Sequence, residues 1–360
     1  MTRRNGARGA GRMPDFLGIG AQKSGTTWLY RNLQQHPDIW LPPEKELHYF
    51  DEKIAQQSWS LRQKLRSDSP EAERWRRQAR RQLWPVDGRP KLRGTSWQRR
   101  YLFRRMNDEW YASLFAPAQG KVTGEITPDY ATLDEDRIRH IHRLMPDVKL
   151  IFFMRNPIER AWSHAGMQLR STSYQQQFPD ALSAFRAHAK SQRSQERSDY
   201  MRTLRAWTSV FAPQQLFVGY LEDVHFRPRE LLRRLCRFLG IAPAPPSPDI
   251  RRKVHKGTSD HIPLEVARYL AELHGARLER LARVLGGHAA WWQFTGARLA
   301  QRDDGGDDAR IGYPLFETEL WDQWLTEQGL EGPPPLQSGP LRRNWASAGR
   351  RGSEPGTLPT

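Results

Sequence analysis

The sequence is notable first for what it lacks. It has a single cysteine, Cys236, so no intramolecular disulfide can form. That cysteine sits in the apolar pattern Leu231-Leu232-x-x-Leu235-Cys236-x-Phe238-Leu239, which predicts a buried structural thiol rather than a nucleophile. No run of 18 apolar residues occurs, which excludes a membrane-spanning helix. The basic start MTRRNGARGAGRM is not followed by an apolar segment, so a secretory signal is not expected. The pattern G-x-x-x-x-G-K-[ST] of a Walker A loop is missing from the first strand-to-helix segment. No helix-turn-helix, zinc-finger or RNP pattern stands out either. Apolar residues make up only 38% and mean hydropathy is -0.79, unevenly spread, as for a globular core carrying polar additions.

What is present is positive charge. The 360 residues carry a formal +17 and the pI is about 10.4. Such a field attracts nucleotides, nucleic acids, acidic glycans and anionic membranes. Arginine greatly outnumbers lysine, a bias that genome composition also produces. Residues 53–105 concentrate the charge, with 16 Lys/Arg against 4 Asp/Glu among several tryptophans. This stretch reads as a basic, partly helical insertion. It suits either binding of a polyanion such as an acidic polysaccharide or a solvated arginine-rich lid.

Periodicity organises the rest. Residues 15–20 predict a buried strand, followed by a helix that Gly25 opens and that ends near His36-Pro37. KELHYFD (45–51) predicts a short extended piece. KVTGEITPDY (121–130) reads as strand and turn, and residues 134–145 as a helix. VKLIFFM (148–154) is an unbroken apolar run fit for a central parallel strand, and Pro157 sits early in a helix reaching about Tyr174. Further helices fit 180–192, 197–211, 223–239 and 263–285, with a strand at 215–220. Residues 1–14 are expected to be disordered, and 301–360 to form a largely flexible extension with one helix over LFETELWDQWLTEQ. Strands alternating with helices predict an α/β fold: a P-loop-type open, mostly parallel sheet flanked by helices, occupying 15–300. Ligands of such sheets bind beyond the carboxyl ends of the strands, here after residues 20, 154 and 220.

Two of those loops carry anion chemistry. In Gln22-Lys23-Ser24-Gly25-Thr26-Thr27-Trp28, a glycine permits a tight turn, successive N–H groups at a helix start form an anion nest, and Lys23 and three hydroxyls add donors. In MRNPIERAWS, Arg155 stands at the end of the central strand, where its guanidinium can grip a phosphate bidentately. Ser163 returns to the same side two helical turns later, and Arg160 is a further helper. An arginine where an NTPase often places a magnesium-binding Asp suits a nucleotide phosphate held without metal.

Together these segments resemble the sulfotransferase superfamily. QKSGTTWL looks like its 5′-phosphosulfate loop and KLIFFMRNPIERAWS like its 3′-phosphate strand and helix, over roughly 15–50 and 107–295. The resemblance implies the donor 3′-phosphoadenosine 5′-phosphosulfate (PAPS), no metal, Lys23 at the bridging and sulfuryl oxygens, and Arg155 and Ser163 on the 3′-phosphate. It also implies that Lys253, Lys256 and Gly257 belong to a basic loop closing over the nucleotide, although Thr258 stands where an arginine is common. KELHYFD resembles the base-carrying element of the heparan sulfate branch. That makes Glu46 the general base and Asp51 a supporting carboxylate, with His48 the alternative base. GEITPDY resembles another family segment, implying that Glu125 and Tyr130 face the acceptor; Ile126 replaces a lysine frequent in the heparan sulfate branch. The expected function is sulfuryl transfer from PAPS to a hydroxyl of a glycan or small molecule, in a bacterial cytoplasm, with no specific nucleic-acid partner and no membrane span. The alternatives are a P-loop kinase or NTPase, and a basic nucleic-acid-binding protein.

Overall fold

The computed structural model describes residues 11–51, 61–83, 96–168, 180–245, 250–251, 260–302 and 309–345. Five strands run parallel: β1 (Phe16–Gly20), β2 (Ile39–Trp40), β3 (Val122–Ile126), β4 (Lys149–Met154) and β5 (Leu216–Tyr220). A separate two-stranded ribbon pairs β6 (His261–Pro263) with β7 (Arg310–Gly312), antiparallel. The last strand, β8 (Gly339–Pro340), joins the main sheet antiparallel to β5, giving the order β2-β3-β1-β4-β5-β8. The α/β, mostly parallel sheet expected from the sequence is therefore present.

The apolar runs of β1 and β4 follow from burial on both faces. Successive side chains alternate between two layers. Phe16, Ile151, Phe153 and Phe217 pack on one face against Trp28, Leu29 and Leu33 of the first helix (Thr26–Gln34) and Leu231, Leu235 and Leu239 of the Pro228–Leu239 helix. Leu17, Ile19, Phe152, Met154 and Val218 face the other layer, with Tyr200, Trp207 and Trp292. Cys236 is buried, as predicted.

The packing leaves no slack at Gly219, where a Cβ would come within 2.4 Å of the Phe153 ring. Gly219→Ala is therefore expected to destabilise the fold by about 1–3 kcal/mol, through overpacking. Chemical denaturation would read this as a lower midpoint at unchanged m-value. An unshifted midpoint would mean that the Phe153 ring moves aside freely.

Several expectations are corrected. Residues 45–51 form no strand, because their N–H groups bond to buried side chains instead of a neighbouring strand, as described below. Pro228 splits the helix read at 223–239 into Leu221–Phe226 and Pro228–Leu239, since proline cannot donate within a helix. Asp199 separates Gln192–Ser198 from Tyr200–Thr208 and caps the second, accepting from Arg202 N at 3.1 Å. An unpredicted helix, Gly287–Ala300, packs back on Leu264–Leu285; its WW-rich sequence is apolar on too many sides to show a helical stripe.

The stretch read as a flexible extension is folded over 309–345. Asp223 accepts from the backbone N–H and the hydroxyl of Ser338 (2.7 and 2.6 Å), and Arg234 donates to the carbonyls of Leu336 and Ser338, so side chains of the core fold place β8. At the other end, Arg12 N donates to Ala112 O and its side chain pairs with Asp15, so residues 11–14 are held against the body of the fold. The basic insertion is partly helical, with Leu61–Arg66, Pro70–Leu83 and Ser96–Phe103. Residues 169–179, into which the helix after Pro157 was expected to run as far as about Tyr174, lie outside the described residues.

Candidate active site

β1 is hydrogen-bonded to β3 on one side and to β4 on the other. The chain leaves β1 toward one edge of the sheet and returns at β4 to build the other. The crevice at this switch point, beyond the carboxyl ends of β1 and β4, is where open α/β sheets bind ligands. Both segments read from the sequence as anion-binding meet there: Arg155 Nη1 lies 3.4 Å from the carbonyl oxygen of Lys23.

The loop after β1 is bent by two left-handed residues, Lys23 (φ 69°) and Gly25 (φ 91°), the second being the N-cap of the first helix. Glycine at position 25 meets that requirement without a Cβ penalty. No side chain caps this helix, so its first-turn N–H groups stay available to an anion, with the helix dipole behind them. Ser24 and Thr26 are buried beneath the turn, while Gln22, Lys23 and Thr27 are half-buried. Gln22 Oε1 is buried and accepts no hydrogen bond from the described residues. The Trp28 ring packs near Phe153 and its indole N–H donates to Ile250 O at 2.7 Å, leaving its backbone to face a ligand.

Arg155 is 7% exposed and held from three sides. Its Nε faces Glu159 (3.4 Å), its Nη2 donates to the Tyr313 hydroxyl (2.5 Å), and the Tyr313 ring lies 4.9 Å from its Cζ. The Tyr200 hydroxyl donates to the Arg155 carbonyl at 2.8 Å. Ser163 is half-buried on the Pro157–Gln168 helix. Lys253, Lys256 and Gly257 lie outside the described residues.

Next to this helix stands a buried cationic group that sequence reasoning did not assemble. Arg160 is fully buried, with Nε on Ser198 Oγ (2.9 Å) and Nη2 on Ser194 O (3.1 Å). His164 Nδ1 meets His188 Nε2 at 2.9 Å, and Arg197 Nη1 meets His164 Nε2 at 3.4 Å. Burial first, then the nearby Arg160 and Arg197 charges, push His164 down to about 2, so it is neutral at physiological pH. Arg197 also pairs with Asp129 at 2.5 Å, which links the Pro157–Gln168 helix, through His164, to the turn after β3.

The 45–51 loop departs from the strand expectation. Glu46 (φ 67°) and His48 (φ 55°) are both left-handed. Leu47 N donates to Glu125 Oε2 (3.4 Å) and Tyr49 N to the Tyr130 hydroxyl (3.1 Å). Glu125 in turn accepts from Tyr111 (2.6 Å), Thr127 (2.8 Å) and Tyr130 (2.9 Å). Glu125 and Tyr130 are 2% and 0% exposed. They lie beneath the loop and shape it; the expectation that they face the acceptor is corrected, because their polar atoms are spent on each other and on the loop backbone. Burial raises the Glu125 pKa, against the hydrogen bonds that favour its charged form.

Above that floor, Glu46 and His48 come together. Glu46 is paired with Lys45 and its Oε2 lies 3.7 Å from His48 Nε2. His48 Nδ1 bonds Asp51 Oδ2 at 2.6 Å. Burial disfavours both charges, but the partners prevail: His48 and Lys45 bring Glu46 down to about 2, and Asp51 and Glu46 bring His48 up to about 10. At neutral pH the loop thus presents an ionised carboxylate against an imidazolium. His48, Asp51 and Asp129 offer atoms within 4.8 Å of one another, a spacing open to a metal ion. In this arrangement the imidazolium and Arg197 already supply the opposing positive charge.

His48 gains its partners on folding, so the folded chain holds that proton more tightly than the unfolded one. The stabilisation is complete below about pH 6.5 and is lost as pH rises toward about 10. The melting-temperature difference between the wild type and His48→Gln is therefore expected to be largest near pH 6 and to shrink by pH 10. A difference that stays constant over that window would show that His48 is not charged in the fold.

The last helix of the basic insertion packs beside this loop through aromatic rings. Trp97 stacks on Tyr101 (5.0 Å), Tyr101 lies 6.0 Å from Trp110, and Trp110 lies 5.8 Å from Tyr49. A cavity of about 310 Å³ lined by Asp15, Val122, Asp147 and Lys149 lies at the amino ends of the strands, away from these residues.

An open parallel sheet, an uncapped helix start after β1 and a buried arginine after β4 meet at one switch point of an α/β protein. The chain belongs to the sulfotransferase family, whose family model matches residues 14–245 and so takes in the loop after β1, the 45–51 loop, Arg155 and Ser163. It is 24% identical over 328 residues to carbohydrate sulfotransferase 15 of Mus musculus, covering 79% of this chain and 55% of that protein. It is 28% identical over 164 residues to heparan sulfate glucosamine 3-O-sulfotransferase 6 of Homo sapiens, covering 46% and 33%. The chain thus spans about half the length, or less, of these curated relatives. Its fold is similar to that of a sulfotransferase from Alicyclobacillus acidocaldarius, with TM-score 0.50 and 23% identity over 78% of this chain and 99% of the other. No helix among the described residues is long and apolar enough to cross a membrane.

Proposed function

We propose that this protein transfers the sulfuryl group of PAPS to an acceptor hydroxyl, with the donor lying across the switch point between Lys23 and Arg155. The observation that carries this reading is the meeting of the two anion-binding segments, Arg155 Nη1 to Lys23 O at 3.4 Å, beside a helix start that no side chain caps. The site residues suit the nucleotide. The first-turn N–H groups supply unclaimed donors for the 5′-phosphosulfate, and Arg155 with Ser163 faces the 3′-phosphate. Lys23 stabilises charge on the leaving nucleotide as the sulfur–oxygen bond breaks. These cations, rather than a metal, are assigned the compensation of negative charge.

Glu46 is proposed as the general base, with His48 and Asp51 positioning it. Its carboxylate is ionised at neutral pH, whereas His48 carries its proton already and has none to accept. Glu125 and Tyr130 act through the backbone of the loop. The acceptor is proposed to be a glycan or small-molecule hydroxyl. A carbohydrate acceptor is supported by the names of the two relatives and by the aromatic rings that join the basic helices to the 45–51 loop. The cytoplasmic setting expected from the sequence is part of the proposal; the buried lone thiol Cys236, which has no partner for an intramolecular disulfide, is consistent with it.

A panel of glycans, phenols and lipids incubated with radiolabelled PAPS tests the reading. Label should move to at least one hydroxyl acceptor, and turnover should persist in EDTA. Hydrolysis of ATP in preference to use of PAPS would replace it with a kinase or NTPase.

A further inference from the structure

Arg155 does not stand alone at the carboxyl end of β4. A segment from far along the chain, beyond the residues that match the family, reaches it. Tyr313 is fixed on both sides. Upstream, β7 pairs with β6 in the register His261↔Gly312, Ile262↔Ile311 and Pro263↔Arg310, and Tyr313 N donates to Asp260 O at 2.9 Å. Downstream, Leu315 N donates to Glu159 Oε1 at 2.8 Å, and Leu315 and Phe316 are buried. Glu159 is the same carboxylate that faces Arg155 Nε. One buried residue therefore orients the arginine and anchors the segment bringing the tyrosine.

The contact has a definite polarity. Arg155 Nη2 donates and the Tyr313 hydroxyl accepts, at 2.5 Å, while the ring lies against the guanidinium. The phenol has its own proton left to donate. Among the described residues it has no acceptor for that proton, and Tyr313 is only half-buried. A hydroxyl that accepts from a guanidinium and keeps a free O–H beside it is set to bond an oxyanion that the guanidinium also attracts.

We propose that Tyr313 completes the 3′-phosphate subsite of the donor, giving its hydroxyl proton to a phosphate oxygen while its ring holds the Arg155 fork in place. This rests on the donor reading above and extends it to a residue of the C-terminal segment. It assigns that segment a part in distinguishing 3′-phosphorylated adenine nucleotides from those lacking the 3′ group.

Calorimetry of the full chain with 3′-phosphoadenosine 5′-phosphate and with adenosine 5′-monophosphate tests it. Tyr313→Phe keeps the ring and removes only the hydroxyl. It should weaken the 3′-phosphorylated ligand about tenfold or more, the scale of a hydrogen bond to a charged group, and change the monophosphate less than about twofold. Tyr313→Trp, which keeps an aromatic face without that hydroxyl, carries the same expectation should the phenylalanine variant fold poorly. Unchanged affinity for the 3′-phosphorylated ligand in a folded variant would overturn the proposal, as would an equal loss for both ligands. A wild-type chain binding the two nucleotides equally would overturn the donor reading, and this proposal with it.

Discussion

Glu46→Gln is expected to cut turnover by roughly 10²–10⁴-fold while leaving affinity for 3′-phosphoadenosine 5′-phosphate within about twofold, the loss typical of removing a positioned general base. The substitution keeps the shape of the side chain and removes its ability to take a proton. The residues proposed to bind the donor lie on other segments, after β1 and β4, so donor affinity has no reason to follow. His48→Ala should lose less, since His48 acts by holding Glu46 and Asp51 in place. Steady-state rates on an acceptor found in the labelled-donor screen, with calorimetry of the nucleotide product, read both parameters. Surviving turnover in Glu46→Gln, with abolition in His48→Ala, would transfer the role of base to the histidine. The two residues also differ in pH dependence. Glu46 protonates only near pH 2, so an acid limb near neutrality would speak against it.

Lys23→Ala is the second large effect. At saturating donor, turnover should fall by roughly 10²–10³-fold, the cost seen when one preorganised donor to a developing negative charge is removed. The distinction lies between kcat and KM. A lysine that only attracts the nucleotide contributes equally to ground and transition states, and its loss raises KM alone. A lysine aimed at the oxygen released when the sulfur–oxygen bond breaks lowers kcat. The left-handed backbone at Lys23 places it at the turn itself, immediately before the helix start. If kcat at saturating donor is unchanged, Lys23 is a binding residue and no more.

Much of the donor side was legible in the chain. The strand, glycine turn and helix at 16–34 follow from local chemistry: an apolar run, a residue free to take positive φ, and an amphipathic stripe. Arg155 was readable because β4 is so plainly a central strand that the residue after it must lie at the carboxyl edge. The direction of the Trp28 ring carries no mark in the sequence of the loop; packing near Phe153 and a distant carbonyl at Ile250 decided it.

The acceptor side was legible in residue type and not in shape. KELHYFD has the composition of a short strand, yet its backbone bonds to Glu125 and Tyr130, side chains some 80 positions away. Those two looked like acceptor-facing groups because polar residues in a motif resemble a surface, and only their burial showed them to be the floor. Arg197, His164 and Asp129 come from three separate segments and had no common signal in the sequence.

By itself, then, the sequence determined the mostly parallel sheet, its strands β1, β3, β4 and β5, and the two turns at its carboxyl edge that carry Lys23 and Arg155. Each of these rests on hydrophobic period, glycine and charge within a dozen residues. The tertiary structure alone decided the left-handed loop that pairs Glu46 with His48, the edge strand β8, and the arrival of Tyr313 at Arg155. These depend on hydrogen bonds between residues tens to more than a hundred positions apart, whose strength comes from burial that no local pattern records.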